Sequence, residues 1–341
     1  MKNSGQIYSV QILRGVAALV VLFSHINHKT LQLGVQTTNI FSWGGIGVDI
    51  FFIISGFIMM LVTNKDSSKL QFISNRVIRI IPAYWTVTII ALGVYLVAPS
   101  LVNSSGGQTG ILQSFTLLKI PYDIKFLVQN GWTLTFEFFF YLTFIFFIKM
   151  NGVKKAFLTF IIFVVIDVLF LSLNKDTKSF LNDTIKYEFI FGASLFLIYA
   201  GSFKEKLAGL ALIVVSAFAA KFLSTSIMVR AIEFGLPALL FCGVLISIEQ
   251  LFLKYKRKIQ LPLFLGEISY SLYLIHPFVI QTVAIFAKKI IFLQNTLLFY
   301  TVVIVISIIA SNVFYHIIEK NLTMKIKTLS ASRFGLKSKE N

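Results

Sequence analysis

Residues 11–25 of the chain read QILRGVAALVVLFSH, a continuous apolar stretch that contains Arg14 and His25. Eleven helical residues at about 100° each make roughly three turns, so these two side chains lie on nearly the same face, about 16 Å apart along the axis. Ionisable groups in hydrocarbon cost several kcal/mol and by default mark a functional interior. The stretch therefore predicts a membrane helix with one functional face.

The composition of the whole chain agrees with that prediction. Of 341 residues, 57% are hydrophobic and only 13% are charged, and the mean hydropathy is +0.83. This exceeds what a soluble core needs and predicts an all-α, polytopic membrane protein. The net charge of +17 lies in short clusters between apolar runs, which favours loops that set topology over a nucleic-acid surface. A single cysteine, Cys242, excludes a disulfide framework within one chain.

Apolar runs of spanning length predict about ten transmembrane helices. They fall near 7–26, 43–64, 77–98, 132–148, 155–173, 185–200, 206–222, 229–250, 264–287 and 296–318. The runs at 132–148 and 185–200 are short for full spans. No internal repeat is visible, and the longest polar connection covers roughly 99–131. We expect one transmembrane domain over 1–322, followed by a basic cytoplasmic tail over 323–341.

Lysine and arginine in the loops predict the orientation, because short basic loops stay in the cytoplasm. With ten spans and a cytoplasmic N-terminus, the inner segments hold twice as many of these residues as the outer ones. We therefore expect both termini in the cytoplasm and the chain in the cytoplasmic membrane. No small-residue cleavage site follows the first apolar run, so we expect an uncleaved first span.

This orientation divides the polar residues of the spans into two groups. His25, Asp49 and Glu137 fall near the outer ends of their spans and could share one outward-facing pocket. Arg76 and Arg79, at i and i+3, fall at the inner end of the third span. Paired guanidinium groups at this spacing match the oxygens of a phosphate.

Each of these residues also has a purely structural interpretation. Arg76 and Arg79 could be ordinary positive-inside anchors, and Asp49 could cap the start of the second span. Glu137 could pair with a neighbouring cation. His276 could be a buried imidazole bonded to a carbonyl that Pro277 frees from the helix.

Six motifs in register resemble the membrane-bound acyltransferase family 3, over about residues 6–322. They are Arg14 with His25 eleven positions later, GGIGVDIFFIISGF at 44–57, RVIR at 76–79, WTLTFE at 132–137 with Phe140-Tyr141, SYSLYLIHP at 269–277 and IIEK at 317–320. Within the family, the second and fourth motifs look most like the short exopolysaccharide and O-antigen acetylases. Relatives often carry proline two residues after the glutamate of the last motif, where this chain has Asn321. This departure bears on the role of Glu319 and not on the resemblance to the family.

The resemblance implies transfer of an acyl group, usually acetyl from cytoplasmic acetyl-CoA, to a sugar hydroxyl across the membrane. The acceptor would be a cell-surface polysaccharide or a lipid-linked oligosaccharide, and we expect no metal. His25 would be the general base or would carry the acyl group itself; the sequence leaves this open. Asp49 or Glu137 would orient its imidazole.

The donor site is assigned from the same resemblance. Arg76 and Arg79 would hold the CoA phosphates, and His276 is grouped with these donor-binding residues. The pantetheine arm would pass small residues that leave room in the bundle, namely Gly44, Gly45, Gly47, Ser55 and Gly56. Arg14 lies too deep to reach a hydroxyl beside His25, so we assign it to a buried ion pair or to the acyl-CoA arm.

Two other classes of membrane protein share the predicted topology. A glycan flippase or polymerase would spread charged residues along a translocation path, whereas the region 150–260 carries few within its spans. A proton-coupled transporter could use His25, Asp49 and Glu137 as a relay, but it would not need a paired-arginine site at the cytoplasmic face. The identity of the glycan, and acetyl versus succinyl as the acyl group, stay open.

Overall fold

A computed structural model describes residues 7–35, 39, 41–63, 67–102, 106–172, 179–224 and 229–334 of the chain. Over these residues the protein is helical and contains no β-strand, only one isolated bridge between Thr109 and Lys125. The predicted all-α class is confirmed.

The described residues up to Leu223 contain nine α-helices. They are α1 (Tyr8–Gln32), α2 (Ile46–Val62), α3 (Lys69–Val97), α4 (Pro99–Val102), α5 (Ile111–Thr116), α6 (Gly131–Phe144), α7 (Gly152–Ser172), α8 (Lys186–Ala200) and α9 (Phe203–Leu223). A 3₁₀ turn over Ser42–Gly45 leads into α2, and another over Ile145–Phe147 follows α6.

Six further helices complete the described chain. They are α10 (Leu236–Ser247), α11 (Glu249–Lys254), α12 (Gln260–Glu267), α13 (Ser269–Ala287), α14 (Thr296–Phe314) and α15 (Lys320–Phe334). π-helical turns over Ala231–Gly235 and Tyr315–Glu319 precede α10 and α15. The predicted basic tail therefore begins as a continuation of the last helix up to Phe334, and its remaining residues, 335–341, lie outside the described ones.

Within the described ranges, seven helical stretches are long and apolar enough to cross a membrane. They are Tyr8–Gln32, Trp43–Val62, Lys69–Val97, Gly152–Ser172, Phe203–Leu223, Ser269–Ala287 and Thr296–Leu329. The other three predicted spans are also helices, but shorter: Gly131–Phe147, Lys186–Ala200 and Ala231–Ser247. A multi-pass helical membrane protein is confirmed, whereas the count of ten spans and the cytoplasmic termini stay predictions.

The chain divides into two compact units. Unit 1 comprises Met1–Gly47, Arg76–Gly107 and Lys256–Asn341, and unit 2 comprises Val48–Asn75 and Gln108–Tyr255. In unit 1, α1 packs against α12 and α13. Gly15 and Gly266 permit the first of these contacts, because a Cβ on Gly15 would lie 2.8 Å from the Gly266 nitrogen.

In unit 2, α8 is buried along most of its length and packs against α7 and α9. Its contact with α2 depends on two glycines that face each other. A Cβ on Gly56 would overlap the carbonyl oxygen of Phe189, and a Cβ on Gly192 would overlap that of Ile53. Small residues let membrane helices approach closely, and dispersion between their backbones then stabilises the pair.

We expect Gly192→Ala to destabilise the protein by roughly 1–3 kcal/mol, because the new methyl group must push α2 and α8 apart. Gly243→Ala, in α10, is the matched control: its Cβ would meet nothing closer than 3.7 Å, and alanine favours a helix by about 0.5–1 kcal/mol. Thermal unfolding of the detergent-purified variants measures both. Equal midpoints for the two variants would contradict the close approach of α2 and α8.

Candidate active site

His25, on α1, contacts the imidazole of His276, on α13, within unit 1. The Nδ1 atom of His25 lies 2.7 Å from Nε2 of His276, and the two rings are nearly parallel at 19°, with centroids 5.0 Å apart. His276 is fully buried, whereas His25 is partly exposed. The pair thus joins an accessible imidazole to one that is fixed inside the protein.

The backbone of α13 determines which ring nitrogens carry protons. Nδ1 of His276 lies 2.8 Å from the carbonyl oxygen of Leu272, and a carbonyl can only accept, so this nitrogen donates. When both rings are neutral, Nε2 of His276 is then an acceptor and Nδ1 of His25 donates to it. The remaining nitrogen of His25, Nε2, therefore holds the lone pair that a general base requires.

Pro277 explains why His276 finds carbonyl groups at this position. A proline inside a helix has no N–H to donate to the carbonyl four residues earlier, which here belongs to Tyr273. His276 interacts with this carbonyl as well as with that of Leu272. The interpretation of His276 as a buried imidazole held by the backbone is thus confirmed, and its donor-binding role stays a prediction.

Arg14 lies at the other end of α1, close to a carboxylate from the last spanning helix. Glu319 interacts electrostatically with Arg14 and Arg79, and it accepts a hydrogen bond of 2.5 Å from the hydroxyl of Ser271. Arg14 also donates to the side chain of Gln11 at 3.5 Å. Glu319 therefore belongs to a group of polar residues from four helical segments, although its sequence motif alone indicated only a helix end.

Arg76 and Arg79 project from α3 and are both partly exposed. The backbone of α3 is fixed one residue further on, where Tyr270 of α13 donates to the carbonyl of Ile80 at 2.9 Å. Lys327, on α15, interacts electrostatically with both arginines. Three cations from two helices are therefore grouped within unit 1.

Asp49 lies on α2 in unit 2 and forms a bidentate ion pair with Arg230. Both its carboxylate oxygens accept hydrogen bonds of 2.9 Å, one from Nε and one from Nη2 of the guanidinium. Asp49 is fully buried, whereas 31% of the Arg230 side chain is exposed. A third ionisable residue, the fully buried Glu188 of α8, interacts with Asp49 and Arg230.

Glu137, on α6, has hydroxyl partners inside unit 2. It accepts a hydrogen bond of 3.2 Å from Ser55 and a short one from Tyr141, one helical turn later on the same helix. We predicted that Ser55 lies beside the pantetheine arm; in the structure its hydroxyl donates to the carboxylate of Glu137. The sequence suggested a neighbouring cation as the structural partner of Glu137, whereas the structure places the hydroxyl groups of Ser55 and Tyr141 against its carboxylate.

The glycine motif at the start of α2 packs against α1. A Cβ on Gly47 would lie 2.7 Å from the carbonyl oxygen of Ala17, and one on Gly44 would overlap Ser24. Gly45 is partly exposed. The space beside Gly44 and Gly47 is therefore filled by α1, and the space beside Gly56 is filled by α8. The donor-binding roles of Gly45 and Gly47 stay predictions.

The structure brings His25 together with His276, and Arg14 and Arg79 together with Glu319. It gives Asp49 and Glu137 partners of their own in unit 2, so their predicted role in orienting His25 stays a prediction. Sequence reasoning missed Arg230 and Glu188. The sequence does show that each is an ionisable residue at an apolar run. It does not show that both interact with Asp49. In the described part of the chain, no three His, Cys, Asp or Glu side chains form a metal site.

These features define a multi-pass helical membrane protein with an imidazole site on its first spanning helix. Comparison with known families assigns it further: residues 7–316 match the acyltransferase domain of acyltransferase family 3, and the chain belongs to that family. It is thus an acyltransferase by family.

Two relatives illustrate the similarity. The chain is 31% identical over 267 residues to the exopolysaccharide production protein ExoZ of Rhizobium meliloti (strain 1021), which covers 73% of this chain and 80% of that protein. It is 30% identical over 142 residues to the acyltransferase MdmB of Streptomyces mycarofaciens, over 39% of this chain and 36% of that one. No solved structure gives a significant match.

Proposed function

We propose that this protein transfers an acyl group, most simply acetyl, from cytoplasmic acyl-CoA to a hydroxyl of a cell-surface polysaccharide or lipid-linked oligosaccharide. The observation that carries the proposal is the contact between His25 and His276, because it supplies an oriented base on the first spanning helix. The acyltransferase domain supports the reaction type. The similarity to an exopolysaccharide production protein supports a glycan acceptor.

In this proposal His25 acts as the general base. Its Nε2 takes the proton of the sugar hydroxyl while the hydroxyl oxygen forms a bond to the thioester carbonyl carbon. The carbon–sulfur bond then breaks, and the CoA thiolate leaves and takes up that proton. General-base catalysis of this kind contributes about 10²–10⁴ in rate.

His276 is the positioning residue for this base. Its buried ring, held by the Leu272 carbonyl, accepts from Nδ1 of His25 and so keeps the proton off Nε2. This is the task that a carboxylate performs for the histidine of a catalytic triad. An imidazole can perform it here because the backbone of α13 fixes its own tautomer.

Arg76 and Arg79 bind the phosphate groups of the donor in this proposal, and Lys327 lies beside them. CoA carries several negative charges, and grouped cations with partly exposed side chains suit such a polyanion. Arg14 interacts electrostatically with Glu319 at the same end of unit 1. On the proposed topology of ten spans with cytoplasmic termini, this end faces the cytoplasm, where the donor is made.

Thermal unfolding of the purified protein with and without CoA tests the donor. A ligand that binds only the folded state raises the midpoint, so we expect CoA to stabilise the wild-type protein. Arg76→Ala with Arg79→Ala should remove most of that stabilisation. Arg257→Ala with Lys258→Ala is the charge-matched control, because both side chains are exposed on the turn before α12.

The control variant should keep the full response to CoA. If wild-type protein is stabilised by a glycan or an ion and not by CoA or acetyl-CoA, the acyltransferase proposal is wrong, and a flippase or transporter is favoured. If the double arginine variant responds as wild type does, the arginines are topology anchors.

A further inference from the structure

Five partly exposed side chains of unit 2 form an aromatic-ionic cluster: Lys119, Tyr122, Trp132, Asp183 and Arg230. The Nζ atom of Lys119 lies 4.0 Å from the centroid of the Tyr122 ring, and the Tyr122 hydroxyl donates to Asp183 at 3.3 Å. Asp183 interacts electrostatically with Arg230. The guanidinium of Arg230 lies 6.0 Å from the Trp132 ring.

The charges of this cluster compensate each other. Arg230 is paired with Asp49 through two hydrogen bonds, and Lys119 interacts with both Asp183 and Asp123. A phosphate or a lipid headgroup is recognised by cations in excess, as at Arg76 and Arg79. A surface of paired charges and aromatic rings instead offers both hydrogen-bond donors and acceptors. Because its charges compensate each other, it does not favour a charged ligand.

Buried groups beneath the cluster hold it in place. Asp49 and Glu188 are both fully buried, and both interact electrostatically with the Arg230 guanidinium. Burial, followed by the neighbouring Asp183, raises the pKa of the Tyr122 hydroxyl to about 12, so this hydroxyl stays protonated and can donate. A fixed arrangement of donors and acceptors loses little conformational entropy when a ligand binds.

The cluster also joins three connections that are far apart in the sequence. Lys119 and Tyr122 lie between α5 and α6, Asp183 precedes α8, and Arg230 precedes the turn that begins α10. On the proposed topology, all three connections are extracytoplasmic. Their mutual contacts place them at one end of unit 2, as that topology requires.

From this arrangement we propose that the aromatic-ionic cluster binds an uncharged pyranose unit of the acceptor glycan. The inference rests on the proposed function and adds to it where the acceptor is held. A pyranose has an apolar C–H face that packs on an aromatic ring and a rim of hydroxyl groups that both donate and accept. Trp132 and Tyr122 supply the rings, and Lys119, Asp183 and Arg230 supply the polar partners.

Tryptophan fluorescence can detect binding at this cluster directly. The chain has three tryptophans, and the other two, Trp43 and Trp85, are 64% and 45% exposed. Trp43→Phe with Trp85→Phe leaves Trp132 as the single emitter. The probe is the surface polysaccharide of a strain that lacks the gene, cleaved to oligosaccharides. We expect a saturable change in Trp132 emission with this probe and none with phosphatidylglycerol vesicles.

Kinetic variants test the polar members of the cluster. Lys119→Met and Tyr122→Phe should each raise the KM for the oligosaccharide roughly tenfold, the value of one good hydrogen bond, while kcat and the KM for acetyl-CoA change little. Lys221→Met, an exposed cation at the end of α9, is the matched control and should leave all three parameters unchanged.

The outcomes separate this inference from the proposed function. If wild-type protein transfers acetyl groups but the cluster variants keep the wild-type acceptor KM, the cluster is structural and the inference is wrong. A Trp132 signal with the vesicles alone would likewise overturn it in favour of a lipid surface. If wild-type protein neither binds CoA nor transfers an acyl group, the proposed function itself fails.

Discussion

His25→Ala is expected to reduce acyl transfer by about 10²–10⁴, the usual contribution of a general base, and thereby to abolish detectable O-acylation in cells. His25 is partly exposed, so its loss removes a base and leaves little unfilled volume. Membrane abundance should therefore stay close to wild type. Proton NMR of the surface polysaccharide from cells carrying each variant measures the O-acyl signal.

His28→Ala is the matched control for this experiment. His28 lies one turn later on α1, is exposed, and contacts the side chain of Gln32 at 2.9 Å. His28 takes no part in the hydrogen bond between His25 and His276, so its replacement should leave acylation unchanged. A normal O-acyl signal in the His25→Ala strain would remove His25 from the mechanism.

Variants of His276 separate positioning from packing. The side-chain oxygen of glutamine can accept from Nδ1 of His25, whereas leucine cannot. We therefore expect His276→Gln to retain more of kcat than His276→Leu. An unchanged KM for acetyl-CoA in both variants would argue against the predicted donor-binding role of His276. A purely structural His276 would give two variants that differ in thermal stability but not in kcat per folded molecule.

Arg230→Ala is expected to cause the largest loss of folded protein. The substitution leaves the fully buried Asp49 without its ion-pair partner, and it removes the cation that also interacts electrostatically with the fully buried Glu188. Removing one partner of a buried ion pair costs roughly 3–5 kcal/mol, because the remaining charge stays desolvated. Total stabilities are only about 5–15 kcal/mol, so abundance in the membrane should fall sharply.

A compensated variant tests whether the uncancelled charge is the cause. Arg230→Met combined with Asp49→Asn and Glu188→Gln removes the cation and both carboxylates together, and it should recover most of the lost abundance. Lys206→Ala, an exposed cation on α9, should have no effect. Abundance and the thermal midpoint in detergent measure both. An Arg230→Ala variant as stable as wild type would show that the ion pair contributes nothing.

The amino-acid sequence by itself predicts the fold class of this protein. All ten predicted spans correspond to helices, because a segment in hydrocarbon must satisfy its backbone hydrogen bonds internally and an apolar run of this length does so only as a helix. The boundaries were less predictable. The third span was predicted from residue 77, yet α3 begins at Lys69, since polar residues at a helix end do not stop the helix.

The candidate site was predictable in part. The Arg14–His25 face follows from local periodicity, and the order of motifs gives the family. The partners of Arg14 and His25 cannot be predicted from these patterns. The sequence offered Asp49 or Glu137 to orient His25, whereas the structure presents His276, 251 positions along the chain. Periodicity places a side chain on a face of its helix but cannot say which other helix covers that face.

The tertiary structure alone decided the three polar pairings on which the proposals depend: His25 with His276, Arg14 and Arg79 with Glu319, and Asp49 with Arg230. The physical reason is the same in each case. Most spanning helices here are apolar on several faces, so hydropathy does not select their neighbours. Helix packing selects them, through contacts such as Gly56 against α8 and Gly15 against α12, and the ionisable groups must then find partners within that packing.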